Sequence, residues 1–201
     1  MNVRLVLAAM AGAALLTACA SPAPPRVLLT LPSAVAIGAP AAAPVPDSAP
    51  LLVVRRVNLP EYLVSRRVRY RADPSTLAEW PDTYWAERIE IGASREFVAA
   101  LEQQLPGWAL CTTHCADGHA ALVLQLDLVP MDYVRSAREL RARARITLSS
   151  PGPSPRVLQT RELPYTVAAM ADSAQGQAQA MTELIRQVAQ AAGSMVRASR
   201  R

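Results

Sequence analysis

The side chains best suited to chemistry are crowded into one short stretch, Cys111-Thr112-Thr113-His114-Cys115, with His119 close behind. Two cysteines and two histidines could bind zinc, but structural zinc sites usually take ligand pairs from two separated knuckles. A redox-active pair is usually Cys-x-x-Cys, which is one residue tighter than Cys111 and Cys115. We therefore predict a disulfide that closes a small loop, and leave free thiols, a metal site and redox chemistry as alternatives.

The third cysteine, Cys19, ends an N-terminal segment that has the layout of a signal peptide. Arg4 provides a positive charge, residues 5–16 are apolar, and Leu16-Thr17-Ala18-Cys19 follows them. An apolar run of this length is too short to span a membrane as a helix. The last four residues also have the form of a bacterial lipobox, in which the cysteine is lipidated and becomes the mature N-terminus. We predict a signal peptide over residues 1–18 and lipidation of Cys19, with an ordinary secretory peptide as the alternative.

Composition and motifs argue against several classes of function. The net charge of +5 is modest, and the 21 basic residues are spread along the chain rather than gathered into one basic patch. Export also argues against a nucleic-acid partner. The sequence contains no nucleophile elbow and no phosphate-binding loop, and its two histidines share one loop. We expect no enzymatic activity, no cofactor and no metal, and an exported chain favours the disulfide.

Behind the cleavage site, residues 19–50 are rich in proline and alanine, which is typical of an extended, semi-rigid tether. The apolar segment Val27-Leu28-Leu29-Thr30-Leu31 interrupts this tether. We predict that it adds a short strand to the folded domain, with an apolar piece of linker as the alternative.

Hydrophobic periodicity predicts a single α+β domain over residues 51–198. Alternating apolar side chains predict strands at residues 51–57, 62–71, 120–129, 140–148 and 156–168. Apolar stripes predict helices at residues 94–105, with Ser94 as N-cap, and at residues 173–196. We expect an antiparallel-rich sheet with both helices packed on one face.

Three arginines, Arg141, Arg143 and Arg145, occupy the outward positions of the predicted strand at residues 140–148. The simplest interpretation is the polar, solvated face of a half-buried strand. The alternative is a surface that meets anionic lipid head groups or an acidic partner.

Two short segments resemble a known protein family. The first is Val57-Asn58-Leu59-Pro60-Glu61-Tyr62-Leu63, and the second is Tyr84-Trp85-Ala86-Glu87-Arg88-Ile89. In this order, behind a lipobox, they resemble the ABC-type transport auxiliary lipoproteins, the PqiC family of membrane-integrity-associated transporter subunits. The residues of these segments that we interpret as a partner or core motif are Leu59, Pro60, Tyr62, Leu63, Trp85 and Glu87.

The motif has two interpretations. Leu59, Tyr62 and Leu63 could fill the core beneath Trp85. Alternatively, Tyr62 and its neighbours could form part of a docking or lipid-contacting surface, because Pro60 removes a ladder donor and places the segment at a sheet end or kink.

The resemblance implies a non-enzymatic outer-membrane lipoprotein that is lipid-anchored and faces the periplasm. It would act in an MCE-type lipid-transport system, in which an inner-membrane permease and ATPase serve a periplasmic MCE-domain protein. Ala20 agrees with outer-membrane sorting, because an aspartate at that position commonly signals inner-membrane retention. An independent lipoprotein, structural or enzymatic, that shares only the fold is the alternative, and a homo-oligomer is left open.

Overall fold

Eight strands in one sheet and two helices make up the regular structure of the described residues. The computed structural model describes residues 25–35, 38, 45–113, 115 and 120–199. The strands are β1 (Val27–Leu29), β2 (Leu51–Val54), β3 (Arg67–Arg71), β4 (Leu77–Trp85), β5 (Ala109–Cys111), β6 (Ala120–Val134), β7 (Glu139–Ser149) and β8 (Val157–Ala168). The helices are α1 (Ile89–Gln104) and α2 (Ala174–Ala198). The predicted α+β class is confirmed. Within the described ranges, neither helix is long and apolar enough to cross a membrane.

Strand β6 is the axis of the sheet. One of its edges pairs with β7, and β7 pairs with β8, in two long antiparallel ladders. Its other edge pairs in parallel with β2 near the amino end and with β3 at Val134. Strand β5 lies beyond β2, while β4 and then β1 lie beyond β3. The sheet is antiparallel-rich in paired length, as predicted, although several of its short pairings are parallel.

The meander β6–β7–β8 follows the predicted alternation closely. Opposed residues such as Leu126 and Ile146 lie on the inner face, which the helices cover. The buried side chains of β6 and β7 at the predicted inward positions are Leu122, Leu124, Leu126, Leu128, Leu140, Ala142, Ala144, Ile146 and Leu148. In the sequence-predicted edge strand β8, Val167 is buried, and β8 pairs only with β7 among the described strands.

Strand β6 continues past its predicted end at residue 129. The register against β7 shifts between Leu128 and Met131, and the Val129–Pro130 peptide bond is cis. The shift brings both Leu128 and Met131 to the inner face although they are three residues apart. Such an irregularity hides the second half of the strand from a search for strict alternation.

Strand β4 was not predicted, and the predicted strand at residues 62–71 is wrong in its first half. Glu61–Leu63 form a short 3-10 helix, and β3 begins only at Arg67. Strand β4 contains Pro81 and Asp82, and Asp82 has a φ of 45°. A proline and a left-handed residue break the pattern of a regular strand, so the sequence gives little sign of it.

Helix α1 begins at Ile89, five residues before the predicted start at Ser94. The predicted N-cap role of Ser94 is therefore wrong. Its hydroxyl lies inside the helix, where it donates to the carbonyl oxygen of Glu90 (2.6 Å) and accepts from the amide of Val57 (3.0 Å). Ser94 thus joins α1 to the chain that follows β2, and helix α1 ends before Pro106 as predicted.

Helix α2 agrees with its prediction. The hydroxyl of Ser173 caps it by accepting from the amide of Gly176 at 3.0 Å. The helix packs on β7, β8 and α1. The predicted stripe is buried, and it consists of Met181, Leu184, Ile185, Val188, Ala192 and Met195.

Strand β1 confirms the prediction that the apolar segment in the proline-rich region joins the sheet. It pairs in parallel with β4, with Leu29 opposite Trp85. The chain after it is held by both helices, because Glu96 accepts from the amide of Ala34 (2.8 Å) and Thr182 donates to the carbonyl of Pro32 (3.1 Å). The region from residue 27 to residue 35 is therefore part of the folded domain.

Candidate contact surface on the outer face of the sheet

The face of the sheet away from the helices, which we call the outer face, carries the polar candidates. Tyr62 is the member of the motif that reaches this face. Pro60 ends the extended segment, and the 3-10 helix that follows it buries Leu63 while Tyr62 stays partly exposed. The tyrosine hydroxyl donates to the carboxylate of Asp132 at 2.9 Å.

Asp132 is shared by a second donor. The guanidinium of Arg71 donates to the same carboxylate oxygen at 2.8 Å, and its central carbon lies 5.5 Å from the ring centroid of Tyr62. Burial, followed by the nearby Asp132 carboxylate, raises the pKa of Tyr62 to about 12, because both disfavour the phenolate. The hydrogen bond to Asp132 also raises the pKa of Arg71. The three side chains form a small polar network, which holds Tyr62 in the neutral form.

The other apolar members of the motif lie in the hydrophobic core. Leu59, Leu63 and Trp85 are at most 7% exposed, and Pro60 is buried. Tyr62 packs against the edge of the same core. The structure thus divides the motif into buried residues that support the sheet and one tyrosine available on the surface.

Glu87 has a local role at the start of α1. Both of its carboxylate oxygens accept from Arg95 at 2.8 Å. Gly92 leaves room for this carboxylate, because a Cβ at position 92 would lie 3.2 Å from one of the carboxylate oxygens of Glu87. An acidic side chain beside a helix N-terminus is also favoured by the helix dipole. Among the described residues, no hydrogen bond or ion pair links Glu87 to the Tyr62 network.

A second cluster, centred on Arg135, was not predicted from the sequence. Its guanidinium lies over the rings of Trp80 (4.4 Å) and Tyr70 (5.0 Å) and pairs with Asp172 at 3.1 Å. The indole of Trp80 donates to Gln177 at 2.8 Å, and Gln177 is buried. These contacts tie the β3–β4 edge to the end of β6 and to the start of α2.

The arginines of β7 are not equivalent. Arg141 pairs with Glu139 (3.1 Å), and Arg145 pairs with Glu162 (2.6 Å). Arg143 has no hydrogen-bond or ion-pair partner in the part of the chain that the structure describes. It lies opposite Pro164 on β8. On the β6 side it falls between the pairs Leu128–Ala144 and Met131–Ala142, where the register shifts. Two of the three predicted outward charges are therefore already compensated within the domain.

Cys111 and Cys115 are joined as a disulfide in the structure, with Cα atoms 5.7 Å apart. Beside this loop runs a groove of about 860 Å³, whose lining includes Arg55 of the chain after β2, Gln125 of β6 and Ser150 of the β7–β8 turn. His114 and His119 lie outside the described residues. Within the described residues, no group of three or more His, Cys, Asp or Glu side chains is arranged to hold a metal ion.

Cys19 and the predicted signal peptide at residues 1–18 also lie outside the described residues. Their roles stay predictions from the sequence.

The fold and these contacts define a single α+β domain whose polar surface groups largely engage one another. Within this class, the chain belongs to the family described as the ABC-type transport auxiliary lipoprotein component, whose model matches residues 30–192. The predicted family is therefore confirmed, and with it a transport-associated lipoprotein.

Two solved structures show the same fold. One is described only as an uncharacterized protein; it has 15% identity and a TM-score of 0.67, and the match covers 85% of this chain and 98% of the other. The second is a Xanthomonas campestris protein of family DUF330, with 18% identity and a TM-score of 0.58, covering 85% of this chain and 92% of that one. No curated protein sequence matches this chain.

Proposed function

We propose that this protein is an outer-membrane lipoprotein subunit of an MCE-type envelope lipid-transport system and that it acts by contact rather than by catalysis. The observation that carries the proposal is family membership over residues 30–192. The lipobox ending at Cys19 supports a lipid anchor, because the cysteine of a lipobox is lipidated. Two or more acyl chains give stable membrane attachment. The partners would be an MCE-domain periplasmic protein and, through it, the inner-membrane permease and ATPase.

The Tyr62 network is the docking point that we favour for the partner. Its aromatic ring is partly exposed, and its hydroxyl is fixed by Asp132. A preorganised aromatic side chain binds with little loss of conformational entropy, which is why tyrosine is frequent at protein interfaces. The polar network would hold the ring in a single orientation before the partner arrives.

Affinity purification of the full lipoprotein from membranes tests the proposal. We expect an MCE-domain protein to co-purify with the wild type, and its absence would contradict the proposed system. The Tyr62→Ala variant should lose the partner while staying folded, with only the small decrease in melting temperature that follows from losing its packing at the edge of the core and its hydrogen bond to Asp132. A decrease as large as that of a fully buried core residue would instead assign Tyr62 a core role, and retained binding would contradict the docking role.

Tyr62→Phe is the matched control, because it keeps the ring beside Arg71 and removes only the hydroxyl that donates to Asp132. If the ring makes the contact, this variant should retain most of the co-purified partner. Equal loss in both variants would assign the contact to the hydroxyl.

The anchor is tested separately. Metabolic labelling with a palmitate analogue should label the wild type and leave Cys19→Ala unlabelled as an uncleaved or soluble precursor. Equal labelling of both would contradict lipidation of Cys19. Membrane fractionation should place the wild type in the outer membrane, and recovery with the inner membrane would contradict the sorting.

A further inference from the structure

The attachment of β1 to the sheet leaves very little chain between the proposed lipid anchor and the folded domain. If the mature chain begins at Cys19, only residues 19–24 precede the described residues that lead into β1. Six residues span at most about 20 Å, even when fully extended. Release of β1 from the sheet would lengthen this connection, but the chain directly after β1 is held in place. Leu31 is buried, and residues 32 and 34 are hydrogen-bonded to the two helices. An anchored domain therefore keeps its β1 edge close to the membrane.

The outer face at this edge has the chemistry of a membrane-contacting surface. Leu28 of β1 lies opposite Tyr84 of β4, and Tyr84 lies opposite Arg67 of β3, so the three side chains form one row across three strands. The guanidinium groups of Arg67 and Arg26 lie over the Tyr84 ring, at 5.1 and 5.9 Å from its centroid. We call Arg26, Leu28, Arg67 and Tyr84 the β1 patch.

The β1 patch combines exposed apolar surface with incompletely neutralised charge. Leu28 is 62% exposed although it is a large aliphatic residue in a strand. Arg26 has no carboxylate partner among the described residues, and Arg67 shares the single carboxylate of Glu79 with Arg69 (3.3 and 3.2 Å). Tyrosine and arginine with an apolar neighbour are the side chains that suit the head-group region of a bilayer, where a ring sits at the interface and a cation meets anionic lipid.

We propose that the β1 patch rests on the anionic lipid head groups of the membrane that holds the anchor, and so fixes the orientation of the domain. The inference depends on the proposed anchor at Cys19. The opposite edge of the sheet, at β8, would then lie away from the lipid. Strand β8 is five strand-to-strand steps from β1, through β4, β3, β6 and β7, which corresponds to about 24 Å.

The experiment uses the full mature chain from Cys19 in a Cys111→Ser/Cys115→Ser background, so that Cys19 is the only thiol. Its thiol is coupled to a maleimide lipid in vesicles of phosphatidylcholine and phosphatidylglycerol that also contain nitroxide-labelled head groups. A fluorescent non-canonical residue replaces Leu28 or, as the matched control, Leu158 of β8, which is also exposed (52%). We expect several-fold stronger quenching at position 28 than at position 158. Equal quenching at the two positions, or stronger quenching at position 158, would overturn the proposal.

A second comparison tests the patch itself rather than the short connection. The Arg26→Glu/Leu28→Glu variant, with the fluorophore moved to the exposed Val27 between the two substituted residues, should lose most of the quenching, whereas Arg161→Glu/Leu158→Glu on β8 should keep it. Each basic residue near an anionic surface contributes about 1 kcal/mol, or roughly a fivefold change in binding, so vesicles of phosphatidylcholine alone should also weaken the contact. Unchanged quenching in the patch variant and in neutral vesicles would overturn the proposal. Because the anchor is attached chemically, failure of lipidation in cells would not produce either result.

Discussion

The two sides of β6 are built in different ways. On one side, the β6–β7–β8 meander consists of long antiparallel ladders over a continuous apolar inner face. On the other side, the edge formed by β3, β4 and β1 has short pairings, a register shift and a left-handed Asp82. Side chains from distant parts of the chain hold this edge, including Gln177, which accepts from Trp80 and donates to the carbonyl of Arg69.

This contrast shows where regular packing and specific polar contacts each determine the structure. A regular ladder satisfies its own backbone groups and needs only apolar burial on one face. An irregular edge leaves groups that side chains must satisfy, and those side chains are then fixed in position. Tyr84 and Arg26 lie on or next to this edge and Tyr62 just before β3, and these are the residues that we assign to membrane and partner contacts. The hydrogen bond to Asp132 fixes the orientation of Tyr62, and the guanidinium groups of Arg26 and Arg67 lie over the ring of Tyr84.

The largest effect should come from the core of the meander. The fully buried Leu124 of β6, when changed to alanine, should lower the free energy of unfolding by about 2–5 kcal/mol, because truncation removes apolar burial and leaves a cavity. Thermal melting should show a decrease of about 2–4 °C for each kcal/mol lost. Leu158→Ala is the control, since Leu158 is exposed and should change stability by less than about 0.5 kcal/mol. Equal effects in the two variants would contradict the assigned core.

The next largest effect should distinguish the edge from the meander. Gln177→Ala leaves the buried indole N–H of Trp80 without its acceptor, and should cost about 1–3 kcal/mol. Amide hydrogen exchange should become faster in β3 and β4 while β7 stays protected. Gln190→Ala on the same helix is the control, because the side chain of Gln190 is exposed. Uniformly faster exchange across the whole sheet would show that the edge is not held separately.

A smaller effect is expected from the disulfide at the end of β5. The disulfide between Cys111 and Cys115 closes a short loop, so replacing both cysteines by serine should cost no more than about 2 kcal/mol. Thiol counting on the denatured mature chain with Cys19→Ala should find no free thiol. Two reactive thiols would contradict the disulfide, and bound zinc would favour the metal alternative.

The smallest effect concerns the protonation of Tyr62. Its pKa is raised to about 12 in the folded chain, from its ordinary value of 10.0, so the folded state holds this proton more tightly than the unfolded state does. The contribution of Tyr62 to stability should be fully present below pH 10 and should be lost as the pH rises from 10 towards 12. Chemical denaturation should show that the free energy of unfolding falls more steeply with pH in the wild type than in Tyr62→Phe over this window. The other tyrosines are common to both proteins, so parallel curves would show that ionisation of the Tyr62 hydroxyl does not affect stability.

Much of the fold could be predicted because one buried face imposes a period on the sequence. The alternation in β7 and the apolar stripe of α2 are local patterns, and both were predicted correctly. The strand β1 was also predicted, from four apolar residues and a threonine among prolines. The candidate site was predictable only in part, because the motif identified Tyr62 without indicating its partners Arg71 and Asp132.

The amino-acid sequence alone determined the family, the fold class and the elements with a single buried face, because those depend on neighbouring residues and their spacing. Only the tertiary structure decided the irregular half: the existence of β4, the start of α1 at Ile89 and the pairing of Tyr62 with Asp132, 70 positions away. It also decided that Arg143 alone of the three β7 arginines stays without a partner among the described residues. These features depend on which distant side chains the fold brings within hydrogen-bonding distance, and no local period in a sequence encodes that proximity.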